Sequence, residues 1–283
     1  MAGMKSWIVT GGEGFIGGTI VRLTGATSYD LKSEQNILDT QKLRVACEGA
    51  SGIFHCAAKI SVQESIEDPE TYFLHNVTGT ESVTEVSKEM SLKVVFSSSA
   101  AVYGESDHAV TEHEFIAPLS PYAENKRDGE RLLHESGVPF VALRYFNVYG
   151  PGQSAAYAGV ITAFIHAALK SEDLLIYGDG EQVRDFIYVE DVARANIAAM
   201  ESDAVNGETF NIASGAQTSI NQLAEEILRL THSSSKITYL PARAGDIIYS
   251  QANVQKAKEK LGWNSQVSLS EGLAQTIAHI RGH

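Results

Sequence analysis

The stretch SWIVTGGEGFIGGTIVRL, residues 6–23, decides the fold of this chain. It opens with a short apolar strand, Trp7 to Val9, continues into a glycine-rich turn and ends in a helical pattern. Gly11, Gly14 and Gly17 stand three apart, where the turn is tight, the backbone must approach a diphosphate and the helix must lie close to the strand. Free amides and the positive end of the helix dipole then face the phosphates. The stretch therefore predicts a dinucleotide-binding unit.

Strands and helices continue to alternate after this unit. Apolar runs that resemble buried strands are TSYD, SGIFHCAA, LKVVFSSS and PFVALRYFNVYGP. Between two of them, DPETYFLHNVTGTESVTEVSKEM carries apolar residues at helical spacing, and Asp68-Pro69 is its predicted start. This alternation predicts an α/β fold, a Rossmann doubly wound parallel sheet, followed beyond Gly150 by a smaller C-terminal lobe.

The composition limits the kinds of partner that the protein can have. The chain has 283 residues, 43% hydrophobic and 20% charged, which is typical of a globular protein with a substantial core. Its net charge of −13 argues against nucleic acid or an anionic membrane as the main partner. Cys47 and Cys56 match no metal-ligand or redox spacing, so we expect reduced thiols, no metal site and a cytoplasmic location. No leader pattern and no apolar run of ~20 residues is seen, so no membrane span is expected.

Asp30 ends the second predicted strand, where a carboxylate can accept hydrogen bonds from adenosine ribose hydroxyls. It would repel a 2′-phosphate and no arginine follows it closely, so the sequence favours NAD over NADP, although Lys32 lies nearby. The alternative is a turn residue at a strand end. Only thirteen positions separate Gly17 from Asp30, and NILD follows almost at once, so this edge of the sheet is expected to be short.

The stretch SPYAENKRDGE, which begins at Ser120, puts Tyr122 and Lys126 on one face of a predicted helix. A free phenol titrates near ~10, and we expect the lysine ammonium together with a positive nicotinamide ring to lower that value. The phenol could then take a proton from a substrate hydroxyl while hydride leaves the same carbon. VVFSSSAAVYG places Ser97–Ser99 at the carboxyl end of a strand, where one hydroxyl could share the proton. The alternative for the pair alone is a solvated helix face.

Eight blocks now carry a resemblance to a known family. They are TGGEGFIG, HCAA, NVTGT, SSSAAVYG, YAENK, LRYFNVYGP, IYGDGEQVRDFIYVEDV and RAGDIIYSQANVQKAKEKLGW, in the family's order and over nearly the whole chain. The chain resembles the extended short-chain dehydrogenases/reductases, in the branch of NAD-dependent nucleotide-sugar epimerases and dehydratases such as UDP-glucose and UDP-N-acetylglucosamine 4-epimerases. The resemblance implies an NAD-binding Rossmann domain over residues 1–149 plus about 185–213. It implies a nucleotide-sugar-binding lobe over about 150–184 plus 214–283.

The resemblance also implies a role for individual residues. The implied catalytic residues are Ser99, Tyr122 and Lys126. The residues implied to contact or support NAD are Gly11, Gly14, Phe15, Ile16, Gly17, Asp30, Asn36, Ile37, Ala57, Ala58, Asn76, Ser97, Tyr122 and Lys126. The residues implied to contact a UDP-sugar are Ser99, Tyr122, Asn147, Arg184, Arg243, Asp246 and Ser250. Two of these, Arg184 and Arg243, would hold the diphosphate, because planar bidentate donors fit it.

The two positions directly after Ser99 indicate the reaction. Dehydratases of this branch carry an Asp-Glu pair there and decarboxylases usually place a glutamate in the same region, whereas this chain has Ala100 and Ala101. An epimerase needs no such acid, so we expect 4-epimerisation through a transient 4-keto sugar. Two alternatives stay open: an NAD(P)H-dependent 4-keto-sugar reductase, suggested by the short sheet edge, and a non-catalytic NAD-binding regulator. The regulator is disfavoured because Tyr122 and Lys126 are both kept.

Ser250 bears on the size of the sugar. By resemblance it stands where a tyrosine would exclude N-acetyl groups, so UDP-GlcNAc/UDP-GalNAc are expected besides UDP-Glc/UDP-Gal, and a uronic acid sugar stays open. Relatives commonly pair two helices per subunit in a four-helix bundle, which implies a homodimer through the predicted helices near Tyr72–Met90 and Tyr122–Ser136. Their apolar residues could instead face the protein's own sheet.

Overall fold

The predicted strand–turn–helix unit forms at residues 7–24 of the computed structural model, which describes residues 6–154, 159–242 and 247–282. Strand β1 (Trp7–Thr10) leads through the glycine turn into helix α1 (Phe15–Thr24). The parallel sheet has the order β10-β5-β4-β3-β1-β2. Its other strands are β2 (Thr27–Tyr29), β3 (Gly52–His55), β4 (Lys93–Ser99), β5 (Phe140–Tyr145) and β10 (Glu208–Ile212).

Helices cover both faces of this sheet. The α-helices of the described chain that follow α1, including those that lie away from this sheet, are α2 (Thr40–Ala46), α3 (Val62–Glu67), α4 (Pro69–Phe73), α5 (Gly79–Met90), α6 (Pro121–Ser136), α7 (Val160–Lys170), α8 (Val189–Glu201), α9 (Ile220–Thr231) and α10 (Leu269–Arg281). Apolar residues of α1 and α8 pack on one face, and those of α2, α5 and α6 pack on the other. The sequence prediction of a doubly wound Rossmann sheet is confirmed, and α4 begins at Pro69 as predicted.

The pleat explains why the strands are apolar almost throughout. Val9 pairs in register with Phe54, and both point into the core beneath α1 and α8. Their neighbours Ile8 and Ile53, also in register, point into the opposite core beneath α2, α5 and α6. A parallel sheet that is buried on both faces needs apolar residues at consecutive positions rather than alternate ones.

The sheet is short on the side of β2. Strand β2 is its edge, and the chain passes from β2 through a 3₁₀ turn and α2 directly to β3, on the other side of β1. The strand order therefore reverses between β1 and β3, and open α/β sheets bind ligands at the carboxyl ends of such strands. The glycine turn and the end of β3 lie at this point.

The remaining strands build three small sheets beside the main one. They are β6 (Asn147–Tyr149) with β9 (Phe186–Tyr188), β7 (Leu174–Tyr177) with β12 (Ile237–Leu240), and β8 (Val183–Arg184) between β11 (Thr218–Ser219) and β13 (Tyr249–Ser250). A separate apolar core joins α7, α9 and α10 to the first two of these sheets. The domain boundaries given above stay a proposal. Within the stretch proposed for the smaller lobe, Ala257, Leu261 and Trp263 pack in the core of the main sheet.

Three sequence expectations concern cysteines, metals and membranes. Cys47 and Cys56 are both free thiols, and burial raises the pKa of each to about 11. Among the described residues, no group of His, Cys, Asp and Glu side chains could hold a metal ion. Within the same ranges, no helix is long and apolar enough to span a bilayer.

Candidate active site

The glycine turn packs too closely for side chains. Gly11 has φ +71°, and a Cβ built on it would lie 2.7 Å from the Ala57 backbone nitrogen. A Cβ on Gly17 would lie 2.1 Å from the Gly11 carbonyl oxygen, because α1 runs directly over the turn. Gly14 is the N-cap of α1, and no side chain caps that helix. The first amides of α1 therefore open onto a cradle that any larger residue would fill.

Two cavities meet at this turn. The Asp30 cavity, about 340 Å³, is lined by Gly11, Gly14, Tyr29, Asp30, Leu31, Lys32, Gln35, Asn36, Ile37, Cys56, Ala57, Ala58, Lys59 and His75. The Tyr122 cavity, about 180 Å³, is lined by Gly11, Gly14, Phe15, Ile16, Gly17, Cys56, Ala58, Ile60, Ser97, Ser98, Tyr122, Lys126 and Tyr145. Since four residues line both, the two form one continuous cleft. All but one of the residues predicted to contact NAD line it, and the exception is Asn76.

Asp30 lies in the wall of its cavity with both carboxylate oxygens engaged by backbone amides. One oxygen accepts from the Glu13 amide at 2.9 Å and the other from the Lys32 amide at 2.9 Å. A carboxylate oxygen can accept more than one hydrogen bond, so both retain capacity for a ribose diol. Lys32 donates its Nζ to the Glu13 carbonyl at 3.0 Å. The carboxylate thus also ties the edge of the sheet to the glycine turn.

Asn76 supports the cavity from behind. Its amide accepts from the Lys59 nitrogen at 2.8 Å and donates to the Lys59 carbonyl at 2.9 Å, which fixes the chain just after Ala57 and Ala58. The backbone carbonyl of Asn76 accepts a hydrogen bond from the Thr80 hydroxyl. Because that hydroxyl has donated its only proton, His55 Nε2 must be the donor in its 3.0 Å contact with Thr80. Burial lowers the pKa of His55 to about 3, so this ring stays neutral.

Tyr122 and Lys126 lie on the buried side of α6, whose N-cap Ser120 accepts a hydrogen bond from the Ala123 amide. Lys126 Nζ donates to the Ser97 carbonyl at 2.7 Å and lies 5.9 Å from the centre of the Tyr122 ring. Burial lowers the pKa of Lys126 to about 8, while Cys56 and Glu130 act to raise it. The predicted pair therefore meets the end of β4 and does not form a solvated helix face.

The pKa of Tyr122 requires a correction. We predicted that Lys126 and a nicotinamide ring together lower it, but in the protein itself burial raises the pKa of the phenol. The neighbouring Ser99 hydroxyl, as a hydrogen-bond donor to the phenolate, acts on the pKa in the opposite direction. Helical spacing carries no information about desolvation. Burial destabilises the phenolate by more than the protein's own groups stabilise it. The contribution assigned to a positive nicotinamide ring stays a prediction.

A third cavity lies among the small sheets. The Arg184 cavity, about 400 Å³, is lined by Asn147, Val148, Tyr149, Gln153, Gly159, Val160, Ile161, Phe164, Leu175, Ile176, Tyr177, Gln182, Arg184, Phe186 and Ile220. The N-terminus of α7 opens onto it, and the N-cap there, Gly159, provides no side-chain cap. Ser250 of β13 pairs in register with Arg184 of β8 but does not line the cavity. Arg243 and Asp246 lie outside the described residues.

Three residues that the sequence did not single out take part in these sites. Lys59 brings a positive charge to the Asp30 cavity. The Tyr145 hydroxyl lies in the Tyr122 cavity, 3.1 Å from Ser97 Oγ, and donates to Asn196. Buried Asp185 accepts from Ser214 and Gly215 through its carboxylate, while its carbonyl accepts both amide groups of Asn147. A charged residue inside the IYGDGEQVRDFIYVEDV block was the available signal for Asp185.

Known proteins resemble the chain over almost all of its length. The sequence profile described as the NAD dependent epimerase/dehydratase family matches residues 7–213. A UDP-glucose 4-epimerase from Thermotoga maritima, solved with UDP-glucose, is 36% identical with a TM-score of 0.91, covering 98% of this chain and 99% of its own. A UDP-N-acetylglucosamine 4-epimerase from Methanobrevibacter ruminantium M1, solved with UDP-N-acetylmuramic acid, is 36% identical with a TM-score of 0.92, covering 98% of each chain. A UDP-N-acetyl-α-D-glucosaminuronate decarboxylase from Bacillus cytotoxicus is 35% identical, also over 98% of each chain.

Proposed function

The chain belongs to the NAD-dependent epimerase/dehydratase family, and from this premise we propose that it interconverts the 4-epimers of a UDP-sugar with bound NAD. One observation carries the proposal: the Tyr122 cavity joins Tyr122, Lys126 and the neighbouring Ser99 hydroxyl to the glycine cradle, and its lining in the described chain includes no carboxylate. Reversible oxidation of an alcohol needs a base and a hydride acceptor. Loss of water in a dehydratase needs an additional acid.

The cleft has the groups that would hold the cofactor. The first amides of α1, freed by the glycine turn Gly11–Gly17, would bind its diphosphate, and Lys59 would add positive charge. Asp30 would accept from the adenosine ribose and Lys126 would donate to the nicotinamide ribose. When bound, NAD supplies the acceptor for a hydride and later its source.

The protein's own residues move the proton. In its phenolate form Tyr122 takes the proton from the C4 hydroxyl, and the neighbouring Ser99 hydroxyl shares it. The Lys126 ammonium stabilises the negative charge on that oxygen. The 4-keto sugar then rotates so that its opposite face is reduced. Tyr122 returns the proton to the same oxygen, and the product has the opposite configuration at C4. The same groups serve both directions, so the cofactor would remain bound through turnover.

The Arg184 cavity would take the nucleotide diphosphate. The uncapped start of α7 and the Arg184 guanidinium both attract phosphate, and Val160, Phe164 and Ile220 provide apolar walls for a base. We assign Asn147 to the sugar, Arg243 to the diphosphate and Asp246 to the nucleotide ribose by resemblance.

We propose, from the resemblance, that Ser250 leaves room for an N-acetyl group, because its side chain is small; it pairs in register with Arg184. UDP-GalNAc and UDP-Gal should both turn over in the wild-type protein. Ser250→Tyr should abolish turnover of UDP-GalNAc and leave that of UDP-Gal within about threefold, measured as initial rates. Equal loss of both sugars would contradict the assignment.

A second function, reduction of a 4-keto nucleotide sugar, is favoured by one observation. Strand β2, only three residues long, is the edge of the sheet beside the Asp30 cavity. A short edge gives adenosine fewer contacts, which suits a cofactor that must leave after every turnover. A reductase would consume NADH or NADPH in proportion to product.

The decisive experiment is to purify the protein, denature a sample and identify any released nucleotide. The native protein then receives UDP-Gal, UDP-GalNAc or UDP-GlcA without added cofactor, and products are separated by chromatography. Retained NAD with interconversion of 4-epimers is the expected result. Carbon dioxide and a pentose nucleotide from UDP-GlcA would mean a decarboxylase. Activity only with NAD(P)H and a 4-keto sugar would mean a reductase, and either result would overturn the proposal.

We also propose a cytoplasmic homodimer that pairs α5 and α6 of each subunit. Half-exposed Phe73 and Leu74, at the start of the segment that leads into α5, are suitable apolar contacts for a second copy. Sedimentation at micromolar concentration should give a dimer. A monomer under those conditions would remove the proposal.

A further inference from the structure

Three residues of α6 dock on three successive serines of β4. Tyr122, Lys126 and Glu130 are spaced by four along the helix and therefore share one face. Each faces a different member of Ser97–Ser99: the third hydroxyl acts on the pKa of the phenol, the ammonium donates to the first carbonyl at 2.7 Å, and the carboxylate accepts from the second hydroxyl. The two catalytic candidates and Glu130 thus belong to one ladder of polar contacts between helix and strand.

Glu130 is itself fixed from the opposite side. Arg144 of β5 donates to it twice, Nε to one carboxylate oxygen at 2.9 Å and Nη2 to the other at 2.6 Å. Their side chains are 8% and 5% exposed, so the pair is almost fully desolvated. Arg144 Nη1 continues to the Tyr103 hydroxyl at 2.9 Å, which donates to Asn211 at 2.6 Å. Such a bidentate, extended pair leaves the carboxylate little freedom to move.

We propose that Glu130, held by Arg144, is a positioning residue for the reaction: it sets the seating of α6 on β4 and supplies the negative charge that faces the Lys126 ammonium. The inference rests on the proposed roles of Tyr122 and Lys126. Glu130 does not line the Tyr122 cavity, so it acts through these two residues and through Ser98, not on substrate or cofactor.

The electrostatic part depends on the groups around Lys126. The titratable side chains that share its cavity or interact with its charge are His55, Cys56, Tyr122, Tyr145 and Glu130. Burial keeps the imidazole, the thiol and both phenols neutral near pH 7. Of these groups only the Glu130 carboxylate is then negative, and its positive partner Arg144 lies on its other side, in β5. Because burial already lowers the pKa of Lys126 to about 8, loss of that charge would lower the pKa further.

The test is Glu130→Gln, which keeps the shape of the side chain and removes its charge. If Lys126 must be protonated for turnover, the alkaline limb of the kcat profile should move to lower pH by about one unit. At pH 8 kcat should fall about fivefold, while at pH 6 the loss should be small. Glu124→Gln is the matched control, because Glu124 is exposed on the same helix and its removal makes the same change in net charge. The alkaline limb of the Glu124→Gln profile should stay at the pH of the wild-type protein.

A second readout does not depend on activity. The rate at which acetic anhydride labels Lys126, followed by peptide mass spectrometry across pH, reports the fraction of free amine. Its midpoint should move to lower pH in Glu130→Gln and stay unchanged in Glu124→Gln. Turnover of a UDP-sugar by the wild-type protein tests the proposed function, whereas this difference in labelling tests the role of Glu130. Failure of either is therefore recognisable.

Two further variants keep the proposal falsifiable if Glu130→Gln does not fold, since it leaves the Arg144 charge buried. Glu130→Gln with Arg144→Gln removes both charges and should show a downward shift that is smaller than that of Glu130→Gln, because the positive charge beside Glu130 is removed as well. Ser98→Ala keeps the ion pair but removes one contact of the ladder, so kcat should fall about threefold to tenfold with the alkaline limb in place. A folded charge-removed variant with an unchanged limb, or an unchanged kcat in Ser98→Ala, would overturn the proposal.

Discussion

The N-termini of α1 and α7 can be compared directly, because both begin at a glycine N-cap and both open onto a cavity. Six other helices of the described chain begin at a serine or aspartate whose side chain bonds the first turn: α2, α3, α4, α6, α9 and α10. A capped first turn has fewer amides available for a ligand. Of the two others, α5 continues directly from the helical turn Leu74–Thr78, and α8 carries Glu190 and Asp191 in its first turn. The two glycine starts are therefore the helix ends best suited to receive phosphate.

Their surroundings differ in one respect. At α1 the cradle is made by backbone in close contact, and a Cβ on Gly17 would lie 2.1 Å from the Gly11 oxygen. At α7 a Cβ on Gly159 would meet nothing within 4 Å, and the cavity is defined by side chains such as Arg184 and Gln182 from other elements. The shape of the backbone thus defines the first site, whereas the chemistry of side chains defines the second. We expect the first to hold the cofactor for catalysis and the second to determine substrate affinity.

The largest effect should come from Tyr122→Phe, which separates chemistry from binding. Removal of the acid–base hydroxyl should lower kcat about a thousandfold, because general acid–base catalysis contributes on the order of 10²–10⁴. Nucleotide retention and the KM for the UDP-sugar should change little. Tyr239→Phe, at a half-exposed tyrosine in β12, should be without effect. Substantial turnover by Tyr122→Phe would mean that another group transfers the proton. The separation of chemistry from binding at Tyr122 would then be wrong.

Gly17→Ala should test whether the first site is fixed by shape. The added methyl must push α1 away from the turn, so we expect about 2–3 kcal/mol of lost fit and roughly hundredfold weaker NAD binding by calorimetry. Gly18→Ala is the matched control, because its Cβ would lie 3.4 Å from the nearest atom. If both variants bind NAD equally well, close packing at the turn is not what holds the cofactor.

Arg184→Ala should act on the second site alone. Loss of a charge-assisted contact is typically about 1.5–3 kcal/mol, so the KM for a UDP-sugar should rise about thirtyfold while kcat at saturation falls less than threefold. Arg229→Ala, which removes an exposed arginine paired to Glu226 on α9, should leave KM unchanged. A fall in kcat with constant KM would place Arg184 in the chemistry and reverse the assignment.

Gly159→Asp should have a smaller effect that sharpens the comparison. The residue has φ −69° and free space, so an aspartate can cap α7 and stabilise the protein by about 1 kcal/mol. The same carboxylate would face a diphosphate, so KM should rise about tenfold. Gly159→Ser supplies the cap without the charge and should give the gain in stability with a smaller rise in KM. An unchanged KM in both variants would mean that phosphate binds elsewhere.

The two sites also differ in how much the sequence could predict. The glycines, Asp30, Tyr122 and Lys126 were identified because their chemistry depends on neighbours within a few positions of the chain. Burial of the Tyr122 phenol depends on strands that are distant in sequence, so the direction of its pKa shift was wrong.

The contributions of Lys59, Tyr145 and Asp185 depend on tertiary contacts in the same way. The Tyr145 hydroxyl forms a hydrogen bond with Ser97, 48 positions away, and no local pattern in either segment predicts this contact. Asp185 organises a loop near residue 214 through a carboxylate that could equally have been a surface charge. Local motifs predicted the fold and most of the residues that line the cleft, whereas these three contributions required the assembled structure.

Trp263 has a consequence for the order in which the protein can fold during synthesis. Its ring packs in the same core as Val9 and Tyr145, and its Nε1 donates to the Asp191 carbonyl at 3.0 Å. That core stays incomplete until the ribosome has released a segment more than a hundred residues beyond Tyr145. At about 5–20 residues per second, the sheet waits roughly 6 to 24 seconds with apolar surface uncovered. Chaperone demand should therefore peak late in translation.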